Sequence, residues 1–189
     1  RLKHNQLHPL PDSFASSAAK ITSLSLCAFR VENDDLTDFL SPFTNLTYLS
    51  LATAYIKVLP AMPSLKTLVL RDIIYLVESS NYEKNVFRTI CELKSLESLT
   101  LDNVLSARPG GTPRFRIFPD IASHDEIDAW VSKAGVNPTV RNLTLGFSTL
   151  SLKKIKTSAH LYIPLREDIM NSKAMLQRMF PKVSHLKHG

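Results

Sequence analysis

The stretch "SLESLTLDNV", residues 95–104, places leucines at 96, 99 and 101, three and then two positions apart. In a short strand alternate residues face one side, so Leu99 and Leu101 point together into a core. Leu96 sits where the chain enters the strand and closes the layer. Taken alone the stretch is one amphipathic strand. The spacing recurs, however, at Ile21, Leu24 and Leu26 in "ITSLSL", and at Leu46, Leu49 and Leu51 in "LTYLSL". It returns at Leu65, Leu68 and Leu70 in "LKTLVL" and at Val140, Leu143 and Leu145 in "VRNLTL". A sixth copy begins at Val183 and Leu186 in "VSHLKHG". Five full copies in 189 residues make a repeat. One such unit cannot bury its apolar face alone, so neighbouring units must stack.

The L-x-x-L-x-L spacing resembles the leucine-rich repeat superfamily. That resemblance implies an α/β fold: an irregular leucine-rich-repeat solenoid with a curved parallel sheet and helices or loops on the convex side. The expectation is a single domain over residues 1–189, part of a larger protein. Successive copies start 25, 19, 31, 44 and 43 residues apart, so the units are unequal and carry insertions. The family's asparagine three positions after the third leucine is replaced by Phe29, Ala54, Ile73, Val104 and Ser148. This predicts an irregular convex side whose turns are filled by apolar residues.

Between copies the pattern changes to helical spacing. "NDDLTDFLSPF" puts Leu36, Phe39, Leu40 and Phe43 on one face, with acids at its start as the helix dipole prefers. "YEKNVFRTICELKSL" groups Val86, Phe87, Ile90 and Cys91. Ser123 and Glu126 have capping-box spacing ahead of "SHDEIDAWVSKAG", which Gly135 would close. "REDIMNSKAMLQRMF" gives Ile169, Met175, Leu176, Met179 and Phe180 before Pro181. "YIKVLPAMPSLKTL", with Pro60 and Pro63, is too tight for a full helix. This mixture resembles the ribonuclease-inhibitor-like branch, including the repeat regions of F-box or Zyg-eleven type ubiquitin-ligase substrate receptors. "VFRTICELKSLESLTLDNV" and "FTNLTYLSLATAYIKVLPAMPSLKTLVL" carry that likeness. No F-box or cullin-box is recognisable: "LHPLPDSFASSAAKI" has a Leu-Pro without the apolar helix that should follow.

Hydrophobic residues make up 44% of the chain and charged residues 21%, as in ordinary globular proteins. No apolar run approaches the ~18 residues that cross a bilayer, so a membrane is not among the expected partners. Cys27 and Cys91, 64 positions apart, read as reduced core thiols of a cytoplasmic or nuclear protein. Two glycosylation sequons, Asn45-Leu-Thr47 and Asn142-Leu-Thr144, point the other way, although both overlap strand-like segments. The net charge of +6 is uneven. Residues 1–105 hold 10 Lys/Arg against 11 Asp/Glu, and residues 106–189 hold 13 against 6. From Ala129 to Arg166 there is no acid, while Lys133, Arg141, Lys153, Lys154, Lys156 and Arg166 are basic.

No catalytic constellation stands out, and a non-enzyme without cofactor or metal is expected. His4 and His8 are four apart, but Pro9 and Pro11 work against the helix that would bring them together. The sequence has no H-E-x-x-H, no C-x-x-C and no nucleophile-elbow serine. Gly110-Gly111 is flanked by prolines and lacks a following Lys-Ser/Thr to cradle phosphate.

Two surfaces are candidates for binding. If the leucines point inward, the residues between them point out: Ser23, Ser25 and Cys27; Tyr48, Ser50 and Ala52; Thr67, Val69 and Arg71; Ser98, Thr100 and Asp102; Asn142, Thr144 and Gly146. Tyr48 and Arg71 are the expected centre, because Tyr and Arg carry disproportionate interface energy. The same rows would also serve as plain solvated strand residues. The second surface is an inserted loop at 106–119, "SARPGGTPRFRIFP", with Arg108, Arg114, Phe115 and Arg116. Basic residues interleaved with an aromatic suit an acidic peptide or a nucleic-acid strand, and equally a solvated insertion. The leading expectation is therefore a non-catalytic protein–protein interaction module that binds a protein or peptide. By resemblance it would be the substrate-recognition part of a cullin-RING ubiquitin ligase receptor, or the recognition region of a plant-type immune receptor. The basic C-terminal end leaves open an acidic partner there, with a nucleic-acid-associated solenoid as the alternative of a different class.

Overall fold

A computed structural model describes residues 5–6, 11–27, 29–30, 35–56, 58–76, 86–107, 124–146 and 174–188. Its strands are β1 (Asn5–Gln6), β2 (Ser23–Cys27), β3 (Phe29–Arg30), β4 (Tyr48–Ile56), β5 (Thr67–Leu76), β6 (Ser98–Asp102), β7 (Leu105–Ala107), β8 (Asn142–Gly146) and β9 (His185–His188). Its helices are α1 (Asp12–Ala18), α2 (Asp35–Leu40), α3 (Val86–Glu92), α4 (His124–Ala134) and α5 (174–179). All strand pairs are parallel, in the order β1-β3-β4-β5-β6-β8-β9, with β2 also beside β4 and β7 also beside β5. The class is α/β, as expected.

The register follows the repeated spacing. Leu24, Leu49, Leu68, Leu99, Leu143 and Leu186 are partners in sequence from strand to strand. Leu26, Leu51, Leu70, Leu101 and Leu145 form the next row, which His188 continues where a leucine would stand. The inner leucines of the four central copies are essentially inaccessible to solvent, whereas Leu24 and Leu26 at the first are only partly covered. Among the described residues β2 pairs with β4 alone, which leaves part of its apolar edge open.

Two backbone devices repeat with the leucines. The N–H of the residue opening a copy donates to the carbonyl three positions earlier: Ile21 to Ala18, Leu46 to Phe43, Leu65 to Met62, Leu96 to Leu93 and Val183 to Phe180, at 3.0–3.2 Å. This tight turn aims the chain into the sheet. The carbonyl one position after the opening residue then accepts two N–H groups from the next copy. Thr22, Thr47, Lys66, Glu97 and Arg141 do this in turn, each receiving the residue pair that enters the following strand. Unequal insertions therefore do not disturb the stacking, because each copy is pinned at its entry.

The convex segments agree with their spacing. In α2, Leu36 and Leu40 are buried together with Phe43, and the Phe39 and Phe43 rings lie 5.8 Å apart. In α3, Val86, Phe87, Ile90 and Cys91 are buried, and Thr89 joins them. Met175, Leu176, Met179 and Phe180 of the α5 segment are also buried; Ile169 lies outside the described residues. Gly135 ends α4 at φ +92°, its N–H donating to Val131 O at 2.9 Å. Only glycine takes that conformation without cost. Ser123, the expected cap at the other end of α4, lies outside the described residues. The proline-bearing connection between β4 and β5 contains no helix among its described residues, yet buries Leu59 and Met62. Helix α1 follows the Leu-Pro pair; among its described side chains Ala18 is buried and Phe14 is exposed.

Of the loop expected at 106–119, Ser106 and Ala107 belong to β7, in register with Tyr75 and Leu76 of β5, and the rest lies outside the described residues. The apolar filling expected after the third leucine is present at Ile73 and Val104, both buried.

Candidate interaction surface

With the leucines inward, pleating turns the alternate residues of each strand to the other face. The register aligns them in three lanes that cross the strands. The first lane runs Ser23, Tyr48, Thr67, Ser98, Asn142, His185. The second runs Ser25, Ser50, Val69, Thr100, Thr144, and the third runs Cys27, Ala52, Arg71, Asp102, Gly146. Every expected outward residue on these strands thus falls in a lane beside its counterpart in the next copy.

Their accessibility differs. Tyr48 is 37% exposed, and Ser23, Ser25, Cys27, Arg71, Asn142 and His185 are open to solvent. Thr67, Ser98, Thr100, Asp102 and Thr144 are half-buried. Ser50 and Val69 face outward but retain only 8% and 7% of their surface. They occupy the middle lane of interior strands, between the lane of Tyr48 and the lane of Arg71. The candidate hot spot is therefore the patch of β4 and β5 on which Tyr48 and Arg71 are exposed and Ser50 and Val69 are covered.

Arg71 and Asp102 are register partners on adjacent strands, and Asp102 leans the other way. A Cβ built on Gly146 would collide with the Asp102 carboxylate, so that side chain lies over the glycine. At the exit from the same strands, Asp72 and Asn103 hold equivalent positions two residues after the third leucine. Both take the left-handed conformation, with φ 50° and 52°. Asn103, itself buried, donates from Nδ2 to Asp72 Oδ1 at 2.6 Å and from its backbone N–H to Gly146 O at 2.8 Å. The expected asparagine position is empty of asparagine, yet an Asn–Asp bond one residue earlier links successive copies. Asp and Asn at matching positions were the available signal, since these residue types tolerate that backbone region.

Asn137, also not singled out in the sequence, is completely buried. Its Nδ2 donates to Ile90 O at 3.0 Å and to Leu93 O at 2.8 Å, and its Oδ1 accepts from Thr139 N at 2.9 Å. Each of these carbonyls, at and just past the end of α3, also accepts a backbone N–H, from Leu93 and Leu96 respectively, and Asn137 adds a second donor to both. Cys91 points toward the same junction, its Sγ 3.3 Å from Gly135 O. Burial pushes its thiol up from an ordinary 9.0 to about 12, with Lys94 opposing and Glu92 adding to the rise. Such a thiol is chemically quiet.

Among the described residues no three His, Cys, Asp or Glu side chains gather to hold a metal ion, and no helix is long and apolar enough to cross a membrane. Arg108, Arg114, Phe115 and Arg116 of the inserted loop lie outside the described residues, as do His4 and His8. No protein-family model matches the chain, and no curated protein does.

Proposed function

We propose that this chain is a leucine-rich-repeat solenoid that binds a protein or peptide on the outward face of its sheet and catalyses nothing. The observation that carries the reading is the outward patch of β4 and β5: Tyr48 and Arg71 are exposed there on strands paired in register. Tyrosine and arginine at the rim of a preorganised surface are the residue types that dominate binding energy. Entry carbonyls hold β4 and β5 beside their neighbours before any partner arrives, which lowers the ordering cost of binding. The finer proposal, by resemblance, is that the solenoid is the substrate-recognition part of a cytoplasmic or nuclear ubiquitin-ligase receptor. Two free cysteines suit such a compartment.

Capture from cell extract with the full chain tests the reading. A discrete protein should be retained after a high-salt wash, lost with Tyr48→Ala/Arg71→Ala, and kept with Val136→Ser, a substitution at an exposed position outside the sheet. Loss on both variants, or on neither, would remove the outward face as the binding surface. Co-recovery of a cullin adaptor would support the ligase proposal. Recovery dominated by nucleic acid that washes away with salt would replace it.

A further inference from the structure

Four polar side chains are buried among the described residues: Ser50, Thr89, Asn103 and Asn137. A buried polar group without a hydrogen-bond partner is costly, so native structures pair nearly all of them. Asn103 and Asn137 are hydrogen-bonded, and Thr89 is engaged as well. Ser50 is the exception. Its hydroxyl makes no hydrogen bond among the described residues, although only 8% of the residue is open to solvent. Thr47, three positions earlier, gives the contrast, because its hydroxyl donates to Thr22 O at 3.0 Å. Leu49 and Leu51 on either side of Ser50 are inaccessible to solvent, so pleating turns Ser50 to the outward face. There it stands in the middle lane between Ser25 and Val69, its register partners on β2 and β5. Tyr48 lies two residues before it in β4, and Arg71 two residues beyond Val69 in β5. The unpaired hydroxyl thus belongs to the patch on which Tyr48 and Arg71 are exposed.

From this we infer that Ser50 is the specificity contact of the outward patch and hydrogen-bonds an uncharged amide or hydroxyl group of the partner protein, an inference that rests on the outward-face reading above. A serine hydroxyl both donates and accepts, so either group satisfies it. A charged group fits less well. Val69 beside Ser50 retains only 7% of its surface, and a charge set there would give up its water next to an apolar neighbour. An apolar side chain placed over Ser50 would leave the hydroxyl unpaired in a closed interface, which is how a buried polar group rejects the wrong ligand. Holding the fold together is not a role open to this hydroxyl, since removing an unpaired group takes no bond from the protein.

A phage-displayed library of random peptides, panned on the immobilised full chain, supplies the probe, and fluorescence anisotropy with the selected peptides reads it. Peptides that need Tyr48 and Arg71 should bind Ser50→Ala about tenfold more weakly than the native chain. Ser25→Ala, at the exposed neighbour in the same lane, should weaken them by less than about twofold. Replacing one amide or hydroxyl residue of the peptide by an apolar residue of similar size should cause the same loss as Ser50→Ala, and the two losses should not add. The melting temperature of Ser50→Ala should not fall below that of the native chain. A lower melting temperature would show that the hydroxyl is bonded within the fold and would overturn the inference. So would additive losses, or coupling of Ser50 to an Asp, Glu, Lys or Arg of the peptide. Peptides lost with Tyr48→Ala/Arg71→Ala but unaffected by Ser50→Ala would sink the Ser50 contact and leave the outward face standing. If no selected peptide depends on Tyr48 and Arg71, the outward-face reading fails and the Ser50 contact fails with it.

Discussion

Asn137 shows how much one buried polar side chain can hold. Three of its hydrogen bonds reach Ile90, Leu93 and Thr139, and its own N–H donates to Met179 O at 2.8 Å. It thus ties the end of α3 to the segment that carries α5. Removing it takes the second donor from the Ile90 and Leu93 carbonyls, which keep only the backbone N–H groups of Leu93 and Leu96, and empties a fully buried site. Asn137→Ala should cost about 2 kcal/mol in urea denaturation, against less than about 0.5 kcal/mol for the exposed Asn142→Ala. Equal effects would show that the side-chain bonds of Asn137 add nothing to stability. Cys91 makes the second prediction at this scale. Its folded-state thiol titrates at about 12 and an unfolded one near 9.0. Below pH 9 both states are protonated and the stability is unaffected. As pH rises from 9 toward 12 the unfolded state alone loses a proton, so stability falls by up to ~1.4 kcal/mol per pH unit. Cys91→Ala should flatten that slope in melts across the window. Neither residue was legible in advance to the same degree. The cysteine sat on a helical apolar face and read as core. The asparagine's partners lie 47 and 44 positions away, and no spacing rule connects them.

Among the elements, two glycines separate backbone strain from steric conflict. Gly135 closes α4 at positive φ, and a Cβ there would meet only Cys91 Cβ at an ordinary 3.7 Å. Gly135→Ala should therefore lose about 1 kcal/mol through conformation, and Cys91→Ala should not restore it. Gly146 is the reverse case, since an added Cβ would strike the Asp102 side chain. Gly146→Ala should cost about 1 kcal/mol in the native sequence and much less in an Asp102→Gly background, which also removes the Asp102 Cβ, as a double-mutant cycle by denaturation would measure. The amphipathic helices were legible because each carries several apolar residues at helical spacing. Strands β1 and β3 were not: two residues have no periodicity to detect. The Gly146 conflict was likewise invisible, because it depends on which strand lies beside β8, and 39 residues separate β6 from that strand.

For the whole molecule, the proposed solenoid makes a demand that ordinary amphipathic strands do not. Leu99 is completely buried between Leu68 and Leu143, its register partners in the copies before and after. Thr100, the next residue, is half-buried in the outward middle lane. Placing a carboxylate at each position asks whether the two faces differ as the stacking requires. At position 99 the charge enters an apolar layer with no counter-ion and takes its cavity from both neighbours. The cost should exceed ~5 kcal/mol, comparable with the total stability of a domain this size. Because each copy is pinned to the next through its entry carbonyl, the loss should spread beyond β6. Leu99→Asp should abolish the cooperative thermal transition, and Thr100→Asp should keep it with a loss of about 1 kcal/mol or less. Circular dichroism melts on the two variants decide the matter. An intact transition in Leu99→Asp would show that the copies fold as separate local strands, and the stacked core proposed from the leucine spacing would have to be given up.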